Sequence, residues 1–119
     1  MRIWLSSWEW ECCGTPFEVG SEVALSVRFG VSEWVADALG PELAETVDAE
    51  EMHHEDMNVQ LDLDRRSGVV TAIAEVRLTR DQGHPVPGSA QVSAAPRVPW
   101  HEEGGPGQSG FLVDIDRHR

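Results

Sequence analysis

Alternation of apolar and polar residues is the strongest pattern in this chain, and it predicts β-strands. Between Val23 and Phe29 every second side chain is apolar, which is typical of a strand with one buried face. A closing strand with the same period is predicted from Phe111 to Ile115. Further strands are predicted at residues 2–12, 59–64, 69–78 and 90–95, with a hairpin turn at 65–68.

One segment changes to a helical period. Its apolar residues are Trp34, Val35, Ala38 and Leu39, and Ser32 before them is a suitable N-cap. Gly40 and Pro41 end this helix or start a second turn, and Leu43 and Val47 continue its apolar face. We therefore expect one short helix inserted after the second strand.

Two stretches lack a usable period. Residues 48–57 are acidic, and residues 96–110 are rich in Pro and Gly, so both are predicted to be flexible loops. With five to six short strands and one helix, the chain is predicted to be mainly β. The expected architecture is a small antiparallel barrel of SH3-like or OB-like type, formed by a single domain of residues 1–119.

The charge of the chain is strongly negative. Its formal net charge is −12, and all nine basic residues are arginine. Between Asp37 and Asp64 there are carboxylates and no arginine. Such a field repels nucleic acid and attracts a basic protein surface, although a solvated face that keeps the protein soluble has the same composition.

Neither a membrane nor an oxidising compartment is predicted. No apolar run approaches the roughly 20 residues that cross a bilayer, and the start does not continue into a signal-peptide stretch. The two cysteines, Cys12 and Cys13, are adjacent, whereas a secreted disulfide framework spaces its cysteines along the chain. We therefore expect reduced thiols and a cytoplasmic location.

Two residue pairs, Cys12 with Cys13 and His53 with His54, are the candidate metal ligands. Thiolate and imidazole are the donors that zinc prefers, and a structural zinc site takes four of them; copper is the alternative metal. The spacing differs from C-x2-C and H-x3-H, so a buried Cys and solvated His residues explain the same sequence. A Cys–His enzyme is less favoured, because the acidic surroundings disfavour a thiolate.

Five tryptophans stand out in a chain without tyrosine. They can fill a small core, since each buries a large area. Alternatively, Trp8, Trp10 and Trp100 form an exposed aromatic platform that binds a partner. Trp100 is the best candidate for exposure because its neighbours are loop residues.

The run from Trp8 to Gly20, Trp-x-Trp-x-Cys-Cys-Gly-x-Pro-Phe-x-Val-Gly, is followed by the His53–His54 pair and by Ser-Gly-Phe-Leu-Val-Asp at 109–114. In these features the chain resembles a group of small, functionally uncharacterised actinobacterial proteins. The resemblance implies a single bacterial domain and modestly favours proximity of the Cys and His pairs. It implies no activity.

Two functions are therefore carried forward. The first is a non-enzymatic accessory or protein-interaction domain with a protein partner, which the charge predicts to be basic. The second is a zinc- or copper-binding protein that uses the Cys and His pairs. In either case the chain is expected to be a monomer or a homodimer, since small barrels can pair their edges.

Overall fold

A computed structural model describes residues 1–6, 17–51, 64–82, 84–98 and 108–117. The strands in these ranges are β1 (Arg2–Ser6), β2 (Phe17–Glu18), β3 (Glu22–Phe29), β4 (Ala49–Glu51), β5 (Asp64–Arg77), β6 (Arg80–Asp81), β7 (His84–Pro85), β8 (Gln91–Ala94), β9 (Arg97–Val98) and β10 (Gln108–Arg117). The helices are α1 (Glu33–Leu39) and α2 (Pro41–Ala44). The predicted helix is therefore confirmed as α1, and Pro41 begins a second one.

Five strands close into a barrel. Their order is β10-β1-β4-β3-β5, and β5 pairs back onto β10; β8 extends the sheet beyond β5. All these pairs are antiparallel except β1–β4, which is parallel with Trp4 opposite Glu50. The predicted small, mainly β barrel with a short helix is confirmed.

The long strand β5 connects the two parts of the sheet. Its first residues pair with β3, and its later residues pair with β10 on one side and β8 on the other. The hairpin turn predicted at 65–68 is wrong, because these residues lie inside β5. Gly68 serves close packing instead of a turn, since a Cβ there would collide with the Asp116 carbonyl oxygen of β10.

One hydrophobic cluster fills the barrel interior. It contains Ile3, Leu5, Leu25, Val27, Ala49, Val70, Ile73, Phe111, Val113 and Ile115, each at most 4% exposed. The alternation in β3 and β10 correctly predicted that Leu25, Val27, Phe111, Val113 and Ile115 are buried. Val23 is only partly buried, and Phe29, which ends β3, is 49% exposed. Above the Phe29 ring, the Arg66 guanidinium lies 4.9 Å from the ring centroid.

A second hydrophobic cluster lies between the helices and the outer face of the barrel. It contains Trp4, Val35, Ala38, Leu39, Val47, Val76, Leu78 and Leu112. Trp4 is its largest buried side chain, and its indole N–H donates to Ser6 Oγ at 2.8 Å. Because both faces of β1 are covered, the successive residues Ile3, Trp4 and Leu5 are all buried.

A buried carboxylate attaches α1 to the barrel. Glu50, 5% exposed, accepts hydrogen bonds from the Ser32 hydroxyl at 2.8 Å and the Ser32 backbone N–H at 3.0 Å. The Arg28 guanidinium also donates to it, at 3.2 Å. Ser32 was predicted to cap the helix, but its side chain makes no cap hydrogen bond and binds Glu50 instead.

The two predicted loops are partly strand. Within 48–57, residues 49–51 form β4, and within 96–110 the chain forms β9 and the start of β10. Sequence alone assigned these residues to loops because 48–57 has no usable period and 96–110 is rich in proline and glycine. In the part of the chain that the structure describes, no helix is long and apolar enough to cross a membrane.

Candidate binding groove

A groove with a volume of about 250 Å³ lies on the outer face of the sheet, between α2 and the edge strand β8. It is lined by Arg2, Leu43, Ala72, Ile73, Ala74, Val92, Ala94, Leu112 and Asp114. We call it the alanine groove, because alanines of β5 and β8 form its floor. Most of its lining is apolar, with one charged pair at one end.

The groove exists because the outward positions of two paired strands are small. Ala74 of β5 lies directly opposite Ala94 of β8, and Ala72 is the next outward residue of β5. Ile73 between the two β5 alanines packs into the barrel interior. The helices cover the neighbouring Val76 but leave Ala72 and Ala94 exposed. The missing side-chain volume leaves an apolar concavity open to solvent.

One wall of the groove is Leu43 of α2, which hydrogen bonds hold against β1. The Thr46 hydroxyl donates to the Leu43 carbonyl oxygen at 2.7 Å and accepts from the Arg2 guanidinium at 2.9 Å. The backbone N–H of Arg2 donates to Asp48 Oδ2 at 2.8 Å. This wall is therefore part of the folded framework.

The opposite wall is β8, an edge strand. Among the described strands it pairs with β5 alone, and its four residues Gln91–Ala94 are all exposed, Val92 to 45%. The backbone N–H of Ala95 donates to the Ile73 carbonyl oxygen at 2.9 Å and anchors the end of the strand. Protein edges are commonly protected by charges or proline, and β8 contains neither.

The charged end of the groove is an ion pair between neighbouring strands. Arg2 donates to both carboxylate oxygens of Asp114, at 2.8 and 3.2 Å. The hydrogen bond to Asp114 raises the pKa of the Arg2 guanidinium above its ordinary value. Both side chains are about one third exposed, so the pair contributes only about 0–1 kcal/mol to stability. Its role is to define where the apolar surface ends.

A second depression begins on the far side of this ion pair. It shares Arg2 and Asp114 with the alanine groove and is also lined by Thr46, Asp48, Thr71 and Asp116, with a volume of about 540 Å³. Met1 and Ile115 complete the lining, and the N-terminal ammonium of Met1 donates to the Ile115 carbonyl oxygen at 3.0 Å. Three carboxylates therefore face one guanidinium and one ammonium, which leaves one negative charge in excess. We call it the acidic depression.

The residues predicted as sites from sequence lie outside the described residues. These are Cys12, Cys13, His53 and His54 for a metal, and Trp8, Trp10 and Trp100 for a partner. Across residues 1–6, 17–51, 64–82, 84–98 and 108–117, no group of three or more His, Cys, Asp or Glu residues could hold a metal ion.

Sequence reasoning missed the alanine groove. Its signal was present in Ala72 and Ala74, small residues at alternate positions of a strand that is otherwise rich in branched residues. Interpreting them required knowing which face of β5 is covered by helices. That information comes from the pairing of β5 with β8 and β10 and is not local to the segment.

Fold and groove together define a class of protein: a small closed β-barrel with a lateral apolar groove beside an exposed edge strand. Residues 1–117 match the model of DUF6578, a family of unknown function, and the chain belongs to that family. Comparison with curated proteins and with solved structures gives no match.

Proposed function

We propose that this chain is a non-enzymatic protein-interaction domain that binds an extended segment of a partner protein in the alanine groove. The observation that carries the proposal is the groove itself, an open apolar concavity with a floor of exposed alanines beside an edge strand. Exposed apolar concavities of this kind serve as binding sites for side chains of a partner.

The size of the groove favours a peptide over a small molecule. Pockets for small-molecule ligands usually enclose about 300–1,000 Å³, and the alanine groove, at about 250 Å³, is smaller and open along one side. It fits one or two small apolar side chains of an extended chain. Among the described residues that line it, only Arg2 and Asp114 are titratable, and they bind each other. This arrangement favours binding over bond-making chemistry.

The net charge of −12 further favours a basic partner, because opposite charge speeds encounter and suppresses acidic competitors. Two adjacent cysteines, without a spaced disulfide framework, support a reducing cytoplasmic compartment for this role. Trp8, Trp10 and Trp100 remain predictions for a second contact surface.

Tryptophan in place of Ala94 is expected to block the groove and to weaken peptide binding at least tenfold, about 1.4 kcal/mol. A random peptide library displayed on phage is selected against the immobilised full chain, and dissociation constants of enriched peptides are measured by fluorescence polarisation. Ala94 is exposed, so the substitution should leave the fold intact; circular dichroism and the melting temperature check this. Ala72→Trp blocks the same groove from β5.

Ala24→Trp is the matched control, since Ala24 is an exposed alanine of β3 that does not line the groove. It should bind the peptides as the unchanged protein does. The proposal is overturned if no peptide is enriched, or if folded Ala94→Trp and Ala72→Trp variants bind as tightly as Ala24→Trp. Gel filtration detects self-association through β8, and a dimer that excludes peptides counts against the proposal.

A second candidate function, metal binding by Cys12, Cys13, His53 and His54, is favoured by the strand topology. The chain leaves β1 at Ser6 and β4 at Glu51, and these strands are parallel neighbours. Ser6 and Glu51 therefore lie at the same end of the barrel. Cys12 follows Ser6 by six residues, and His53 follows Glu51 by two. Extended chain covers about 3.3 Å per residue, so both pairs are within reach of one ion.

If this second function holds, protein purified without an affinity tag or chelator should contain about one zinc or copper ion per chain. Elemental mass spectrometry, normalised to protein concentration, makes the measurement. Changing Cys12 and Cys13 to serine should remove the ion and lower the melting temperature, because the free energy of metal binding adds to that of folding. A metal-free protein with an unchanged melting temperature would exclude the metal site.

A further inference from the structure

The alanine groove crosses the strands instead of running along them. Apart from Leu43 of α2, its lining residues come from four successive strands of the sheet: β8, β5, β10 and β1. Cross-strand register confirms the direction, since Ala94 lies opposite Ala74, and Ala74 lies opposite Leu112. A ligand in the groove therefore lies across the sheet.

The width of the sheet sets the length of the bound segment. Neighbouring strands are about 4.8 Å apart, so the three spacings from β8 to β1 span about 14 Å. An extended chain rises about 3.3 Å per residue and covers this distance in about four residues. Side chains three or four positions apart thus lie at opposite ends of the groove.

The two ends of the path differ in chemistry. At the β8 end the surface consists of Val92, Ala94 and Ala74, and it suits a small apolar side chain. At the β1 end Arg2 and Asp114 neutralise each other. The acidic depression follows, with Asp48 beside β1 and with Asp116 on β10, two residues and so about 7 Å further along that strand than Asp114. Asp116 is exposed there, so its carboxylate is open to a cation.

We propose that the ligand of the alanine groove is an extended segment with a small apolar residue three or four positions from an arginine or lysine. The apolar side chain occupies the groove floor, and the cation lies beside Asp116 and Asp48. This inference rests on the proposed function and specifies its partner. It differs from strand addition, in which the segment would lie along the outer edge of β8, three strand spacings from β10 and Asp116.

The spacing is read first from the peptides enriched against the full chain, which should share an arginine or lysine three or four positions from Val, Ala or Leu. One enriched peptide, labelled with fluorescein, is then compared with its citrulline analogue, which keeps the shape of arginine and removes the charge. At about 50 mM salt the analogue should bind at least fivefold more weakly, and the difference should shrink as salt screens the charges.

Asp116→Asn should weaken binding of the arginine peptide about threefold or more and leave binding of the citrulline peptide unchanged. This double-mutant cycle would identify Asp116 and the peptide arginine as an interacting pair. Asp81→Asn is the control, because Asp81 is an exposed carboxylate of β6 outside both depressions. Equal effects of Asp116→Asn on both peptides would overturn the inference. N-methylation of the peptide at alternate positions tests for strand addition. Binding that is lost on N-methylation but is unaffected by replacing the arginine would also overturn the inference.

These outcomes separate the two proposals. If Ala94→Trp abolishes binding while citrulline and Asp116→Asn have no effect, the groove binds peptides and the inference that the ligand carries a basic residue is wrong. If Ala94→Trp has no effect, the groove is not the binding site and both proposals fail.

Discussion

Replacing Trp4 by alanine is expected to lower the free energy of unfolding by about 3–5 kcal/mol, a large part of the roughly 5–15 kcal/mol that stabilises a domain. Trp4 is 1% exposed and is the largest side chain between the helices and the barrel. Its removal leaves a cavity under α1 and also frees the buried Ser6 hydroxyl from its indole donor. Urea unfolding followed by far-UV circular dichroism measures the loss.

Trp34→Ala is the matched control for this prediction. Trp34 contacts Trp4 edge to face, with ring centroids 6.4 Å apart, but it is 45% exposed. Its loss should cost about 0.5–1.5 kcal/mol. Should Trp4→Ala prevent folding altogether, Trp4→Phe keeps the comparison measurable and should cost about 1–3 kcal/mol through the unpaired Ser6 hydroxyl. Equal losses at positions 4 and 34 would contradict the described packing.

Replacing Gly68 by alanine is expected to cost about 3 kcal/mol, although a Gly-to-Ala change in a strand ordinarily stabilises a protein. The ordinary gain of about 0.4–1 kcal/mol comes from the lower entropy of the unfolded chain. At Gly68, however, the new Cβ would collide with the Asp116 carbonyl oxygen and lie 2.9 Å from its carbon. Both atoms are backbone, so β5 and β10 must separate where they close the barrel.

Loss of stability at Gly68 is the opposite of the gain that a Gly-to-Ala change ordinarily gives. Urea unfolding should show destabilisation, and hydrogen exchange should accelerate at amides of β5 and β10. Ser67→Ala, one residue away on an exposed position of the same strand, should change stability by no more than about 0.5 kcal/mol. A Gly68→Ala protein as stable as the unchanged protein would mean that the two strands do not approach each other as described.

Local sequence patterns predicted the elements in which one face is buried and the other is exposed. The alternation from Val23 to Val27 identified β3, and the helical spacing of Val35, Ala38 and Leu39 identified α1, because each element buries one side. Both predictions required only the period of the apolar residues. The mainly β fold followed from the number of such strands.

Elements that depend on distant partners were not predicted. β4 consists of Ala49, Glu50 and Glu51, all buried, and acidic residues do not suggest a strand. Glu50 is accommodated because Ser32 and Arg28 donate to it, and neither donor can be identified from the local sequence. Arg65 and Arg66 were assigned to a turn because their place in β5 also depends on a distant partner. Arg65 pairs with Ser26 of β3, and Arg66 pairs with Leu25.

The candidate site was predicted less well than the fold. Sequence reasoning selected side chains with distinctive chemistry, such as Cys12 and His53, and these lie outside the described residues. The alanine groove instead depends on what is missing from Ala72 and Ala94, namely side-chain volume. Such a site becomes visible only when the neighbouring strands and α2 are in place.

The pairing of β1 with β10 has a consequence for synthesis of the protein in the cell. Residues 2–6 pair with residues 110–114, so the barrel can close only after β10 has left the ribosome. Contacts of such long sequence separation form slowly. Until then β1 lacks one of its two neighbouring strands, the other being β4. We therefore expect the segment from β1 to β9 to remain incompletely folded, and exposed to aggregation or to chaperones, until β10 has been synthesised.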